Sequence, residues 1–286
     1  AHAGADRSAE TRLRRLVGVS LQKSVRQETL LRRLSALWER RPAEERGAFC
    51  RSLASLGTSD EGLAAARALL DAAAGDRAGS GTREAVVRDA RRALAPAYES
   101  LAEGLAGSAG GLRLLLEVRV AALAAAKEDR GVGALEAHLR DLLKARFSPC
   151  SLGLSRVSWT RTPPPVLERV VRADVVHPIH TWPALKQRLG RNRRLWVLSH
   201  AALGAEPLAM LEVALRRDVA PSVQGLLAED TWEHPVRSAA TDTSFAADAE
   251  PPPDDAAATC AVFYSISATQ PGLVGVDVGA QLIRAA

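Results

Sequence analysis

One segment near the end of the sequence has the residue types and spacing of a phosphate-binding loop. A strand-like run, Phe263-Tyr264-Ser265-Ile266-Ser267, leads into it, and helix-like spacing begins behind it at Val276. The loop comprises Thr269, Gln270, Pro271, Gly272, Leu273, Val274 and Gly275. Backbone N–H groups at a helix N-terminus suit an anion, and glycines let it approach the backbone without a Cβ clash. The sequence therefore predicts a phosphate or pyrophosphate site in this 269–275 loop, with a plain glycine turn as the alternative.

Two histidines and two serines are weaker candidates for chemistry. His177 and His180 have an HxxH spacing, but Pro178 breaks the helix that such a metal site needs and no cysteine or carboxylate cluster supports it. We expect a structural turn there and no metal. Ser265 and Ser267 share a strand face without a GxSxG elbow or a nearby base, so we expect a polar strand face beside the ligand.

His200 follows an apolar strand and precedes a loop. It either lines an active cleft or is a structural histidine with satisfied hydrogen bonds, and the structural role is the better expectation.

The elements that must position the loop begin after about residue 147. Short apolar runs between turn residues predict strands. Short strands or turns are predicted at 157–159, 163–165, 175–176 and 195–198, and further strands at 208–215 and 259–267. Helices are predicted at 182–189 and 222–227, and residues 241–257, with three prolines and several aspartates, predict a solvated loop or insertion.

The first half of the chain has a helical pattern. Apolar residues recur at spacings of three and four within 30–38, 63–70, 86–94, 112–123 and 135–147, with a glycine-containing break at 75–81. No side chain there suggests chemistry, and His138 is expected at the surface or its boundary. The sequence thus predicts two domains, an all-α helical bundle over 1–150 and a mixed α/β domain over 151–286.

Composition excludes several classes of protein. No apolar run approaches the length of a membrane span, and residues 1–15 lack the apolar core of a secretory signal. The net charge is +5, but arginine alternates with glutamate as on solvated helix faces, so we expect no nucleic-acid partner. Three scattered cysteines form no CxxC pair, which favours a reducing compartment and no zinc site.

Several ordered blocks in the second half resemble the malonyl-CoA decarboxylase family. These blocks are Val176-His177-Pro178-Ile179-His180-Thr181-Trp182, Leu185-Lys186-Gln187-Arg188-Leu189, Arg193-Arg194, Ser199-His200, Glu206-Pro207-Leu208, Glu212-Val213-Ala214-Leu215, Phe263-Tyr264-Ser265-Ile266-Ser267, Gln270, Gly272-Leu273, Gly275, Gly279 and Leu282-Ile283. The helical half resembles the family's N-terminal domain more weakly. The resemblance implies a helical self-association domain followed by the first part of an acetyltransferase-like (GNAT-like) domain.

The resemblance also implies a reaction and a substrate site. The 269–275 loop would hold the CoA part of malonyl-CoA, although Pro271 offers no N–H and the donors must come from its neighbours. Decarboxylation would leave a thioester enolate that is stabilised and protonated without a metal or organic cofactor. The family's catalytic serine and histidine lie C-terminal to this loop, so we expect both beyond Ala286.

Two other functions stay open at this point. An acyltransferase on the same fold would use the CoA loop to transfer an acyl group, and a helical self-association module would need no catalysis. The decarboxylase is favoured, because simple acetyltransferases lack the helical domain and the Val-His-Pro-Ile-His-Thr-Trp block. We also expect homo-oligomers formed through the helical domain and a bacterial cytoplasmic location, with the mitochondrial matrix as the alternative.

Overall fold

The structure, a computed structural model of the 286-residue chain, describes residues 11, 15, 27–74, 80–204, 206–229, 231–232 and 257–286. The chain divides into two compact units, Ala1–Leu143 and Lys144–Ala286. The first is helical and the second combines helices with one sheet, which confirms the predicted order of an all-α part followed by an α/β part.

The helical unit follows the predicted apolar stripes. Its described helices are α1 (Gln27–Glu39), α2 (Arg46–Ala54), α3 (Asp60–Ala73), α4 (Ser80–Leu94), α5 (Ala97–Ala106), α6 (Gly111–Ala125) and α7 (Arg130–Arg146). Residues 75–79 of the predicted break lie outside the described residues, whereas Gly81 belongs to α4, so the break does not extend as far as predicted.

Helices α6 and α7 supply much of the core of this unit, including Leu115, Leu135 and Leu139. A buried ion pair joins the two helices: Arg119 is 1% exposed, and its Nη2 lies 2.8 Å from Glu136 Oε1. Such a pair is tolerated in a core because the opposite charges and hydrogen bonds offset the cost of leaving water. His138 lies at the boundary of the core, as expected, 3.6 Å from the Glu99 carboxylate.

The second unit is built on a four-stranded antiparallel sheet in the order β1-β2-β3-β4. The strands are β1 (Leu152–Arg156), β2 (Arg193–His200), β3 (Ala209–Arg216) and β4 (Cys260–Ala268). β3 and β4 confirm the strands predicted at 208–215 and 259–267, with ends that differ by one residue, and the short strand or turn predicted at 195–198 is the middle of β2.

The α-helices described beside the sheet are α8 (Pro164–Ala173), α9 (Trp182–Leu189), α10 (Val223–Ala228) and α11 (Val278–Ala285). One core cluster joins Leu167 of α8 and Leu185 of α9 to Leu195 and Val197 of β2. Helix α11 contacts β2, β3 and β4. The side chain of Thr181 caps α9, because its oxygen accepts a hydrogen bond from the Ala184 N–H at 3.2 Å.

The strand or turn predicted at 163–165 is wrong, because Pro164 and Pro165 form the first turn of α8. Proline suits that position since its fixed φ is helical and its missing N–H would have no intrahelical partner. Of the strand or turn predicted at 157–159, no strand forms, because β1 ends at Arg156, whereas Trp159 lies in a turn. Residues 175–176 form a turn, in which the Asp174 Oδ1 atom accepts hydrogen bonds from the N–H groups of Val176 and His177.

Of the predicted insertion at 241–257, all but Ala257 lies outside the described residues. Among the helices that the structure describes, none is long and apolar enough to cross a membrane.

Candidate functional site

The 269–275 loop joins the end of β4 to α11 and is anchored at its first residue. The Thr269 N–H donates to the Leu208 carbonyl at 3.0 Å, and its hydroxyl donates to the Pro207 carbonyl. A short 3₁₀ turn, Pro271–Leu273, follows, with Gly272 and Leu273 buried. The loop is therefore held against the start of β3, and its middle packs into the unit.

Hydrogen bonds within the loop use several of its own donors. The N–H groups of Leu273, Val274 and Val276 donate to the carbonyls of Gln270, Pro271 and Leu273 at 2.9, 3.3 and 3.0 Å. Gly275 has φ 75°, a left-handed conformation that glycine adopts without the strain a Cβ would add. Hydrogen bonds between its own backbone groups therefore hold the loop closed. Glycine is favoured at 275 because of the left-handed backbone conformation there.

The N-terminus of α11 directly follows this turn, two residues later than the sequence predicts. Asp277 precedes the helix with φ 56° and makes no side-chain capping hydrogen bond. Its carboxylate instead lies 3.8 Å from the Lys144 ammonium. The first turn of α11 therefore has no side-chain cap, and its backbone N–H groups and helix dipole are oriented to suit an anion.

A cavity of about 550 Å³ lies along α11, from Asp277 before its first residue to Arg284 in its last turn. Leu152, Leu154, Leu198 and Val276 give it an apolar wall, while Lys144, Asp277, Gln281 and Arg284 provide polar groups. Gln281 is fixed in place because its side-chain amide donates to the Phe147 carbonyl at 3.1 Å. The size falls within the range of small-molecule sites in proteins.

A buried ion pair supports β4 from the neighbouring strand. Glu212 on β3 pairs with Ser265 of β4 in the sheet, is 2% exposed, and accepts a hydrogen bond from Arg188 of α9 at 2.7 Å. Burial raises the pKa of Glu212 from 4.5 to about 7, and the nearby Arg188 guanidinium only partly offsets it. Desolvation outweighs ion pairing here because almost no water reaches the carboxylate.

The two serines singled out in the sequence lie in this same buried region. Ser265 and Ser267 are 6% and 2% exposed, and the Ser267 hydroxyl lies 3.1 Å from Asp174 Oδ1. Asp174 thereby ties the turn after α8 to the last residues of β4. The structure places both serines on a buried polar face that holds β4 in position.

His200 has a structural environment at the end of β2. Its Nδ1 atom accepts a hydrogen bond from the Ala202 N–H at 3.1 Å, and its ring centroid lies 4.9 Å from that of Phe147. Burial lowers the pKa of His200, while a hydrogen bond with the Arg146 backbone acts in the opposite direction. A neutral imidazole that caps the turn after β2 agrees with the structural role favoured from sequence.

The structure does not bring His177 and His180 together with other metal-binding side chains. His177 is held through its backbone, which donates to Asp174 and accepts from Arg188 Nη2 at 3.4 Å, and His180 is exposed. Within the described ranges no group of three or more His, Cys, Asp or Glu side chains could hold a metal ion.

Sequence reasoning missed the buried charges around β4, the strand that leads to the loop. Glu212 had a recognisable signal, because it is the one charged residue within the apolar run 208–215. Asp174 and Arg188 had none, since their partners are separated from them by 93 and 24 residues. Only the strand register and the position of α9 bring these groups together.

Fold and site together define a class of protein in which a helical unit precedes an antiparallel sheet that leads through a glycine-containing loop into a helix N-terminus. A family model described as the malonyl-CoA decarboxylase C-terminal domain matches residues 150–286. The mitochondrial malonyl-CoA decarboxylases of goose (Anser anser anser) and mouse are 38% and 34% identical over 195 and 201 residues. The chain belongs to the malonyl-CoA decarboxylase family.

Solved structures extend the likeness to both units. The malonyl-CoA decarboxylase of Agrobacterium vitis has a TM-score of 0.76 and 26% identity, with 97% of this chain and 61% of that one covered. The Rhodopseudomonas palustris enzyme has a TM-score of 0.72 and 29% identity, with 96% and 62% covered. The goose and mouse alignments cover 67% and 68% of this chain, which spans only 35% and 37% of those relatives.

Proposed function

We propose that this protein decarboxylates malonyl-CoA to acetyl-CoA and CO₂ in fatty-acid metabolism, and that the 269–275 loop binds the CoA portion of the substrate. The observation that carries the proposal is the position of this loop, between β4 and an uncapped helix N-terminus, in a chain of the malonyl-CoA decarboxylase family. The names of its relatives suggest the substrate, and the uncapped N-terminus of α11 supports a binding site for its phosphates.

The charges around α11 support this assignment. The CoA pyrophosphate is an anion, and the first-turn N–H groups of α11 are the donors that the closed loop leaves for it. Lys144 and Arg284 add positive charge in the adjacent 550 Å³ cavity. Asp277 is an unfavourable charge for such a ligand, and its pairing with Lys144 partly neutralises it.

In the proposed reaction, the 269–275 loop and α11 bind and orient the substrate. Cleavage of the bond to the carboxylate releases CO₂ and leaves the electron pair on a thioester enolate, which a proton then converts to acetyl-CoA. Hydrogen-bond donors aimed at the thioester oxygen stabilise the enolate, and an acid delivers the proton. We place the catalytic serine and histidine outside this chain and propose that the chemistry uses no metal or organic cofactor.

Substitution of one loop glycine tests the assignment. Gly272 is buried within the loop, so Gly272→Val adds a branched side chain where the backbone packs closely, and CoA affinity should fall at least about tenfold, or 1.4 kcal/mol. Val274 is 62% exposed, so Val274→Ala serves as the control and should leave the affinity unchanged. Calorimetric titration of CoA measures both, and equal affinities for the two variants would remove the loop from the site.

Activity needs a separate measurement on the longest protein that the parent reading frame encodes. CO₂ release from malonyl-CoA should be present in that protein and should fall with Gly272→Val. A frame that continues into a later serine and histidine agrees with the proposal. A protein that binds CoA but releases no CO₂ from malonyl-CoA would leave the loop assignment intact and refute the decarboxylase.

We further propose self-association through the helical unit, supported by exposed apolar side chains on two helices that contact each other. Leu63 and Leu70 of α3, and Val87 and Leu94 of α4, are each between 37% and 51% exposed and lie seven residues apart in each helix. A second copy would cover this surface. Light scattering should show that Leu63→Lys with Leu70→Lys lowers the oligomer size, whereas Arg67→Lys, a charge-preserving change between them, should not.

We propose a cytoplasmic location in a bacterium, because the solved relatives include bacterial proteins. The goose and mouse relatives are named mitochondrial, so the mitochondrial matrix is the alternative. Fractionation of the source cells distinguishes the two.

A further inference from the structure

A second cavity in the sheet unit has no part in the site proposed above. It encloses about 740 Å³ and is bounded by Trp159, Trp182 and Trp232. The ring of Trp159 meets the other two edge-on, with centroids 5.9 Å from Trp182 and 6.1 Å from Trp232. The cavity shares no lining residue with the 269–275 loop or with the cavity beside α11. We name it the tryptophan cleft.

A lysine gives the tryptophan cleft its charge. The Lys186 ammonium lies 4.7 Å from the ring centroid of Trp159 and 5.5 Å from that of Trp232, a geometry in which the π electrons attract the cation. Lys186 therefore occupies the position over the rings at which a cationic ligand would otherwise bind. A second cation would be repelled, whereas an anion would be attracted.

Two of the indoles offer further contacts. Trp182 is 48% exposed and precedes Lys186 by four residues on α9, so the two side chains lie on the same side of the helix. Trp232 is 1% exposed, and its indole N–H has no hydrogen-bond partner among the residues that the structure describes. A buried donor without an acceptor is costly, and an anionic ligand group can supply the acceptor.

We propose that the tryptophan cleft binds a small aromatic or heteroaromatic carboxylate. Its ring packs on Trp182, and its carboxylate lies beside Lys186. The volume is within the usual range for small-molecule sites, and apolar walls with few polar groups are typical of them. This inference does not depend on the decarboxylase proposal, because the residues involved are separate.

A matched pair of probes tests both the ring and the charge. 2-Naphthoate and 2-naphthylmethanol have the same ring system, but only the first carries a carboxylate. Calorimetric titration of the full chain should show tighter binding of the naphthoate. Lys186→Met should weaken naphthoate binding about tenfold and leave the alcohol within about twofold, since only the anion loses a partner. Lys186→Arg should retain the preference for the anion.

Two more variants fix the location of the probe. Trp182→Ala removes a half-exposed ring and should weaken both probes, while Gly272→Val in the other site should leave both affinities unchanged. Circular dichroism confirms that each variant is folded. The proposal is overturned if naphthoate fails to bind at millimolar concentration, if both probes bind equally well, or if Gly272→Val rather than Lys186→Met weakens the naphthoate.

Discussion

At the scale of single residues, Glu212 shows how burial can dominate an ion pair. Its carboxylate lies 2.7 Å from Arg188, yet burial keeps its pKa near 7. The folded protein thus holds this proton more tightly than the unfolded chain, in which the group titrates near 4.5. Its contribution to stability is fully present below pH 4.5 and is lost as pH rises through about 7.

This linkage predicts the effect of Glu212→Gln. The free energy of unfolding of the unmodified protein should fall by about 1 kcal/mol per pH unit across this interval because of this group alone. The variant should lose that part of the slope, because a glutamine carboxamide does not titrate in this range. Urea unfolding at a series of pH values from 4.5 to 8 measures the difference in slope.

Glu229→Gln is the matched control, because it also removes a carboxylate that pairs with arginine. Glu229 contacts Arg193 and Arg216 but its side chain is 38% exposed. If both variants alter the slope equally, burial of Glu212 is not the cause.

Single residues also show where sequence reasoning reached the site and where it stopped. The 269–275 loop was accessible because its strand, glycines and helix are contiguous in the chain. The partners of β4, the strand that leads to the loop, could not be predicted, since Asp174 meets Ser267 only through folding of distant segments. Even at Ser265 and Ser267 alternation predicted a shared face, but only the fold shows that this face is buried.

At the scale of elements, α9 depends on a single side-chain cap. The Thr181 hydroxyl accepts the Ala184 N–H at 3.2 Å, and the eight-residue helix carries both Lys186 and Arg188. We expect Thr181→Ala to cost about 1 kcal/mol of unfolding free energy, because a donor at the helix N-terminus loses its acceptor. Thermal or urea unfolding checks the value.

Thr181→Ser provides the control, since it retains the hydroxyl and removes only a methyl group from an exposed residue. Serine should restore most of the loss. Equal destabilisation by alanine and serine would show that the methyl group, not the cap, stabilises this end of α9.

Helix α8 explains why one element was missed. A run of three prolines suggests a turn, but only Pro163 precedes the helix, and the next two occupy its first turn. The apolar pattern behind them was informative: Leu167 and Val170 lie three residues apart and are both buried. Prolines directly before such a spacing are a helix start signal, because proline is favoured in the first helical turn.

At the scale of the whole molecule, each of the two units has its own core. Substitution of two glycines in the helical unit by alanine should change the stability of that unit in opposite directions. A Cβ at Gly111 would lie 1.8 Å from the Leu105 carbonyl oxygen, whereas one at Gly133 would meet nothing within 4 Å. Gly111→Ala should therefore destabilise this unit. Gly133→Ala should stabilise it by up to about 1 kcal/mol, because alanine favours a helix interior.

Hydrogen exchange read by mass spectrometry distinguishes the units in both variants. Exchange in peptides from α5 and α6 should become faster with Gly111→Ala and slower with Gly133→Ala. Peptides from β2 and β3 should change little if the cores are thermodynamically separate. Equal changes in both units would instead show one cooperative molecule.

The pairing of β3 with β4 shifts register between Glu212 and Val213, and this shift determines where β4 could lose a residue without disturbing the loop behind it. Glu212 pairs with Ser265 and Val213 with Phe263, so Tyr264 is the additional residue opposite them. Deletion of Tyr264 would leave the spacing from Ser265 to Gly275 intact. Deletion of a residue after Ser265 would instead move each following side chain of the strand to the opposite face of the sheet. In related sequences, a one-residue gap in this strand should therefore fall at Tyr264 or before it, never between Ser265 and the loop.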